Sequence, residues 1–394
     1  MARFTISKFD VGAPLRIAQV SPYDFAIPGG VTTHITNLTE QFRSMGHKVD
    51  IIAPSSSVAT ESDVYGFHRV GKTIVPLRSN ASIARVSFSL TLAPHVRRIL
   101  RAGNFDVVHI HEPLAPLLPW YVLWFSNAVN VGTFHASREK STVYRTYRQV
   151  VKHLQGKLHG RIAVSLAARD FVHAIFPEEY HIIPNGIDPE RYGTRTPEIN
   201  GLSDGKFNIV FLGRPEKRKG LPVLLQAMQL VQRLRTGVRL IVVGASSDRQ
   251  HQKLVKRVSK LGIQEVLFAG FVSEEDKLRY LQSAHVLVAP ARSGGRESQG
   301  LVLLEAMAAG TPVIASDIKG YRTVSPKGEA ALYVEPDDHR ALARAILRMI
   351  DHPDTRDRYR ASGLACAKKF SWDVIGKNIC DYYHELLSEQ KAKF

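Results

Sequence analysis

An α/β chain of two tandem, doubly wound domains is the fold class this sequence predicts, on three observations. Short apolar runs alternate with helix-length stretches, the pattern of parallel sheets covered on both faces. The alternation stops at a polar run, Gly193–Gly205, and then starts again. A length of 394 residues also exceeds what one ordinary core organises.

From Arg16 the order is strand, turn, helix. Ile17–Ser21 reads as a buried strand, Pro28-Gly29-Gly30 as the turn, and the helix runs from about Val31 to Met45, with Val49–Ala53 as the next strand. Val107–His111, Val129–Phe134 and Arg161–Ser165 are further short strands, with helices at about 113–126 and 141–158. Asn185-Gly186, inside the segment His181–Asp188, is a turn signal that closes this half. The second half offers strands at Phe207–Leu212, Leu240–Val243, Val266–Gly270, Val286–Ala289 and Pro312–Ser316, then helices near 338–350, 354–368 and 372–388. The expected domains are 1–192, a linker 193–205, 206–371, and a terminal helix 372–394 packing back on the first half. No short-period repeat, heptad array or low-complexity tract occurs. In such sheets, ligands bind at the carboxyl ends of the strands.

Composition bounds the function. A hydrophobic content of 44% with 23% charged residues is that of a soluble globular protein. The two cysteines, Cys366 and Cys380, form no CxxC pair or Cys/His ligand spacing, which argues against a disulfide framework or zinc site. Met1–Phe9 has no secretory pattern, and the longest apolar stretch, Leu114–Phe125, holds two prolines and falls short of the ~20 residues that span a bilayer. The expectation is a cytoplasmic protein, soluble or peripheral. A net charge of +17 suggests an anionic partner: nucleic acid, membrane or small molecule. Residues 1–191 hold 21 Lys/Arg against 14 Asp/Glu, and Val64–Phe105 alone holds seven basic residues and no acid. Within it, His95–Arg101 reads as an amphipathic helical turn or two. There Arg97, Arg98 and Arg101 flank Val96, Ile99 and Leu100, a face suited to anionic lipid at ~1 kcal/mol per basic residue. Trp120, Tyr121 and Trp124 are candidate apolar anchors beside it; a half-buried helix with solvated arginines is the alternative.

Chemistry concentrates in residues 286–310, where an apolar strand, a glycine loop and a helix start follow one another. Unpaired amides around Gly300 and Leu301 suit a phosphate, with no side chain at Gly300 to block approach. Glu297 precedes the helix and Glu305 lies about one and a half turns inside it. They read either as two solvated acids or as holders of sugar hydroxyls and a ribose diol. Gly213–Gly220 follows the first strand of the second half and is neither a GxGxxG nor a P-loop, since Gly220 stands where Ser or Thr would hold magnesium. It reads as a solvated basic turn or as a diphosphate grip through Arg214 and Lys219. Pro28-Gly29-Gly30 is a tight turn or a place for backbone to approach a pyrophosphate. His135 ends a strand at the cleft edge; alone, a histidine there is more often structural. His109 and His111 are read as facing opposite sides of their strand, structural and not a metal pair.

Pro28-Gly29-Gly30-Val31, Ile183–Asp188, Gly213-Arg214 with Lys219-Gly220, and Glu297-x7-Glu305 together resemble the retaining nucleotide-sugar glycosyltransferases of the GT-B fold, the glycosyl transferase group 1 family. Those enzymes set two Rossmann-like domains face to face across a cleft, and the resemblance runs in order over nearly the whole chain. Asn80–Arg85, Phe105–Pro113 and Gly132–Ala136 look like the bacterial phosphatidylinositol mannosyltransferases, which move mannose from GDP-mannose to the inositol head group of a membrane lipid. The resemblance implies Gly30, with Gly29, at the β-phosphate, and Arg214 and Lys219, with Arg218, at the diphosphate. It implies Glu297 on the transferred sugar, Glu305 on the ribose, and Ser298, Gln299, Gly300 and Leu301 in the donor loop. Val272, Glu274 and Lys277 fall at the guanosine pocket. His135 falls beside the reacting carbon, with Tyr23, Asn80, Ser82, Arg85 and Lys140 near the acceptor. One position departs: two residues before Pro28 those mannosyltransferases are expected to carry an acid, and this chain has Ala26. Either Asp24 substitutes or the acceptor pocket differs.

The implied activity is a retaining hexosyltransferase, peripheral on the inner face of the cell membrane, with His135, Glu297, Arg214 and Lys219 at the chemistry. A carboxylate nucleophile is not expected, because both acids are otherwise assigned. Same-face substitution remains, driven by positioning and by stabilisation of the leaving diphosphate. No Asp-x-Asp stands at a strand end, so no tightly bound metal or cofactor is required, though a divalent ion is compatible. The partners are then a nucleotide sugar and an anionic phospholipid. A UDP-sugar-dependent transferase with a soluble or other lipid acceptor is the alternative within the class. A nucleic-acid-binding protein is suggested by charge alone, and no zinc module, aromatic RNA motif or basic-region helix supports it. A regulator without catalysis is opposed by intact Glu297, Glu305 and His135.

Overall fold

The computed structural model describes residues 13–27, 29–57, 66–71, 74–79, 82–87, 91–136, 148–294 and 297–392. The first half runs β1 (Arg16–Val20), α1 (Gly30–Ser44), β2 (Lys48–Ala53), β3 (Phe67–Arg69), β4 (Ile74–Ser79), β5 (Ser82–Ser87), α2 (Leu92–Gly103), β6 (Val107–His111), α3 (Leu118–Phe125) and β7 (Val129–Phe134). It continues with α4 (Arg148–Gln155), β8 (Gly160–Ala163), α5 (Leu166–His173), β9 (His181–Ile182) and α6 (Pro189–Gly193). The second half holds β10 (Phe207–Leu212), a short 3₁₀ turn (Lys217–Lys219), α7 (Leu221–Leu234), β11 (Val238–Val243), α8 (Asp248–Leu261), β12 (Val266–Gly270), α9 (Glu274–Gln282) and β13 (Val286–Ala289). Then come α10 (Leu301–Ala308), β14 (Val313–Ser316), α11 (Lys319–Arg322), β15 (Leu332–Val334), α12 (His339–Asp351), α13 (Pro353–Lys368) and α14 (Trp372–Ala392).

Two parallel sheets result, ordered β3-β2-β1-β6-β7-β8-β9 and β12-β11-β10-β13-β14-β15. Central strands read as unbroken apolar runs because helices cover both faces; β7, β11 and β13 are buried at every residue. In each sheet the winding reverses beside the first strand, at β1/β6 and at β10/β13. The crevices outside the carboxyl ends of those pairs are where such sheets take ligands. Four loops open there: Ser21–Gly29, Glu112–Leu117, Gly213–Glu216 and Pro290–Gly300. The two halves are thus α/β Rossmann-like units, as expected.

Local chemistry explains where sequence patterns and elements part. The expected helix at 113–126 begins only at Leu118, because Glu112 and Leu117 take positive φ (53° and 71°) and Pro113 and Pro116 fall in the intervening turn. The strand expected to reach Ser165 stops at Ala163, since Ser165 turns outward to cap α5 through the Ala168 amide. Residues 141–147 of the expected helix at 141–158 lie outside the described residues. The antiparallel hairpin β4–β5 and the edge strands β3, β9 and β15 were not legible from the apolar pattern.

Helix α14 packs on the first sheet. Its Ile375, Ile379, Cys380, Tyr383 and Leu386 share one core cluster with Leu15, Ile17, Phe42, Val107, Val131 and Ile162. Fully burying one such side chain contributes ~1.5–3 kcal/mol, so this helix is a large part of that core. The chain reaches it beside the Asn185-Gly186 turn: Ile187 N–H donates to the Phe370 carbonyl (2.8 Å) and Trp372 N–H to the Ile187 carbonyl (3.1 Å). Gly186 is there for contact, since a Cβ would come within 2.6 Å of the Trp372 ring.

Candidate active site

At the carboxyl end of β10 the basic turn folds onto Glu297. Lys219 Nζ lies 2.9 Å from Glu297 Oε2, and Arg218 Nη1 pairs with Glu297 Oε1. Arg218 Nε also meets Glu216 Oε2 at 2.7 Å, and Arg214 Nη2 meets Glu216 Oε1 at 2.9 Å. Three cations and two carboxylates leave one net positive charge at this sheet's switch point. Glu297, only 7% exposed, is held at a fixed place by two charge-assisted bonds. Glu216 was not anticipated; an acid between two arginines in a turn reads as solvated from sequence.

Gly300 caps α10 with φ 85°. A Cβ there would stand 2.4 Å from the Tyr321 ring, so Gly300 serves an internal close approach as well as an open N-terminus, a reason different from the expected one. One turn further, Glu305 Oε1 accepts from Lys277 Nζ (2.8 Å) and from the Tyr192 hydroxyl (3.0 Å), and Glu274 meets Lys277 at 2.7 Å. Burial opposes the Lys277 charge, but Glu305, Tyr192 and Glu274 outweigh it and raise the ammonium above its usual range. Residues expected at base and ribose therefore lie together, with Val272 against the same core. Tyr192 gave no signal in the sequence.

In the first half, Gly29 is the N-cap of α1, its N–H taken by Thr32 Oγ1 (2.9 Å), and Gly30 is the first residue; a Cβ on Gly30 would meet nothing within 4 Å, so the backbone there is open to approach. Tyr23 lies in the loop between β1 and α1, its N–H on Ser21 Oγ (3.2 Å). Asp24 does not fill the gap left at Ala26: it is 3% exposed and accepts from the Ala26 and Ser56 amides (3.2 and 2.9 Å), so it shapes this turn. Ser82 and Arg85 fall on β5, known here by its backbone pairing; Asn80 and Lys140 lie outside the described residues.

His109 and His111 do not face opposite sides. Residues two apart on a strand share a face, and the two rings stack with centroids 4.4 Å apart. His111 Nδ1 then reaches His135 Nε2 at 3.0 Å and His111 Nε2 reaches Gln19 at 2.7 Å. The His135 backbone amide donates to Glu112 Oε1 (2.8 Å). His34 of α1 packs edge-on to His135 and Trp372. Burial lowers all four imidazoles, His109 to about 3 and His135 to about 4, with neighbouring histidines adding to the shift except at His135. Four neutral rings form one largely buried cluster. Ring nitrogens of His34, His111 and His135 lie within 4.8 Å of one another, a grouping able to hold a metal ion that the sequence reading did not see.

The halves meet through Asn185, which pairs with Gln299, and through Ser165 and Ser298, whose hydroxyls are 3.3 Å apart. The Asn185–Gln299 pair thus links the first half, where His135 lies beside Asn185, to the loop that carries Glu297. Away from it, Arg97, Arg98 and Arg101 are exposed on α2 while Val96, Ile99 and Leu100 are buried, and Trp124 is 59% exposed nearby. Among the described residues no helix is long and apolar enough to cross a membrane.

Two facing Rossmann-like units with a cationic, acid-bearing gap define a glycosyltransferase of the GT-B type. The comparisons agree: residues 28–191 match the Glycosyltransferase Family 4 model and 194–364 the Glycosyl transferases group 1 model. The phosphatidyl-myo-inositol mannosyltransferases of Mycobacterium leprae and Propionibacterium freudenreichii are 36% and 32% identical, over 94% of this chain and 96% and 94% of theirs. Among solved structures, Anabaena HepE in complex with UDP superposes with a TM-score of 0.76 at 17% identity, covering 94% of this chain and 100% of its own. A Rickettsia africae glycosyltransferase gives 0.75 at 17%, covering 95% and 99%. The chain belongs to the glycosyl transferase group 1 family.

Proposed function

We propose that this glycosyltransferase moves mannose from GDP-mannose, with retention at the anomeric carbon, to the inositol head group of an anionic phospholipid such as phosphatidylinositol. It works as a peripheral protein on the inner face of the cell membrane. The observation that carries the reading is the row Arg214, Arg218, Lys219, Glu297 followed by Glu305 and Lys277. Cations for a diphosphate stand with an acid for sugar hydroxyls beside them and an acid for a ribose diol in the helix that follows, the three features a nucleotide sugar requires. Mannose and the inositol lipid are supported by the names of the relatives.

In this reading the acceptor oxygen bonds to the anomeric carbon on the face from which the phosphate oxygen departs, and the acceptor's proton passes to that oxygen. Arg214, Arg218, Lys219 and the open backbone at Gly30 hold the diphosphate as its charge grows. Glu297 orients the sugar. His135 stays uncharged beside it. The exposed arginines of α2 and Trp124 bring the enzyme to anionic lipid.

Thermal-shift titration with GDP-mannose and UDP-glucose, then transfer to phosphatidylinositol with the product anomer assigned, tests the reading. An α-linked mannoside from GDP-mannose is expected. Stabilisation and transfer with UDP-glucose alone would instead establish a UDP-sugar enzyme with a soluble or other lipid acceptor, a reading that the UDP complex of HepE favours.

A further inference from the structure

The loop that carries Glu297 is gripped from two sides. Within its own half, α11 presses so closely that a Cβ on Gly320 would strike the carbonyl oxygens of Glu297 and Ser298. From the first half, Ser165 Oγ stands 3.3 Å from Ser298 Oγ, and Asn185 holds Gln299 through three hydrogen bonds.

The Asn185 backbone N–H and its side-chain amide both donate to Gln299 Oε1, at 2.6 and 2.7 Å, and Gln299 Nε2 donates to the Asn185 carbonyl at 3.1 Å. Asn185 lies just beyond β9, the last strand of its sheet, so the Gln299 side chain supplies the acceptor and donor that a further strand would. Gln299 is 2% exposed, and its oxygen already accepts twice. Its side chain is therefore committed to the first half and not turned to a donor molecule. Asn185 is itself fixed: Gly186 packs on the Trp372 ring, and Ile187 pairs with Phe370 and Trp372 where the chain returns from the second half. Another link between the halves, Lys319 with Asp170 at 2.6 Å, has its lysine 73% exposed and is weak in water.

Donor and acceptor are expected on different halves, with Arg214, Lys219, Glu297 and Glu305 on the second and Tyr23, Arg85 and His135 on the first. Transfer needs the two sets in register, and a misplacement of about 1 Å costs on the order of 10²-fold. The Asn185–Gln299 bonds act on the donor side directly, because Gln299 stands between Glu297 and Gly300, the N-cap of α10.

We propose that Gln299 and Asn185 are positioning residues that register the Glu297 loop, and the sugar it holds, against the acceptor side of the first half, so that the sugar passes to the acceptor and not to water. The role in transfer rests on the function proposed above; the register of the loop does not. Hydrogen exchange of the ligand-free protein reads that register. The Asn185 amide and those of Gln299–Leu301 should exchange slowly in the wild type. In Gln299→Leu, which keeps the bulk but not the bonds, they should exchange about tenfold faster or more, with β10 and β11 unchanged. Slow exchange retained in that variant overturns the proposal. With GDP-mannose and phosphatidylinositol, Gln299→Leu should lower kcat about tenfold or more while the donor KM moves less than about threefold. The share of consumed donor released as free sugar should rise. Lys319→Ser, which breaks the exposed link, should change none of these. Unchanged kcat, a loss confined to the donor KM, or an equal loss in Lys319→Ser overturns the proposal. Should Gln299→Leu not fold, Asn185→Ala keeps both backbone bonds and removes the third; the same changes, smaller, are expected, and their absence is equally fatal. A wild type with a protected Asn185 amide that transfers sugar from no nucleotide donor would refute the function proposed above instead.

Discussion

Lys219 Nζ sits 2.9 Å from Glu297 Oε2, joining a residue expected on the diphosphate to one expected on the sugar. The pair lies across the β10/β13 switch point, so each side chain holds the other in place before any donor arrives. Glu297→Ala removes the proposed sugar contact and leaves Arg218 and Lys219 without their shared partner. Turnover is expected to fall by on the order of 10²–10³, measured as initial rates of sugar transfer. Turnover close to wild type would remove Glu297 from the site.

Glu305 and Lys277 are the residues proposed for the other end of the donor. Glu305→Gln keeps the shape of the pocket but weakens its hold on a ribose diol. The donor KM should rise on the order of tenfold with kcat nearly unchanged, as for a contact equally strong in ground and transition states. A loss confined to kcat would move Glu305 from binding to chemistry.

The buried histidines make stability depend on pH. Unfolded, each binds a proton near pH 6.5; folded, burial holds His109 to about 3, His135 to about 4, and His34 and His111 well below the usual value. The unfolded chain therefore carries more protons below pH 6.5. Stability present above that pH is lost as pH falls toward 4, at roughly 1.4 kcal/mol per pH unit for each histidine. Denaturation midpoints between pH 7 and 5 check this; a flat profile would mean the cluster is solvated.

Replacing Arg97, Arg98 and Arg101 with Ser should cost about 3 kcal/mol of attraction to anionic vesicles, on the order of a hundredfold in partition. Flotation with and without anionic lipid measures it. Equal flotation of variant and wild type would return α2 to the status of an ordinary surface helix.

Tyr383→Ala, in the core that α14 shares with the first sheet, is expected to destabilise by about 3–5 kcal/mol in chemical denaturation. A change under about 1 kcal/mol would contradict the packing of α14 on the first sheet.

The tandem α/β fold was legible because strand and helix periods differ and buried parallel strands are apolar throughout, as in β11. The donor side was legible because Glu297, Lys219 and Gly300 lie in short local motifs at strand ends. The histidine cluster was not. Gln19, His111, Asn185 and Tyr383 lie on separate elements, and only the stacking of strands brings them into register. His111 was within reach, because the period of a strand sets it on the same face as His109. The hairpin β4–β5 escaped for a different reason: it pairs only within itself and joins neither parallel sheet, so the strand–helix alternation does not announce it.

Helix α14 completes the core of residues far ahead of it in the chain. While the chain is being synthesised, the first half emerges long before the element that closes it, leaving Phe42 and Val131 without their final cover. An isolated N-terminal fragment would present that open groove and aggregate. The enzyme cannot be divided at its linker into two self-sufficient parts, and its last helix acts as the seal on its first sheet.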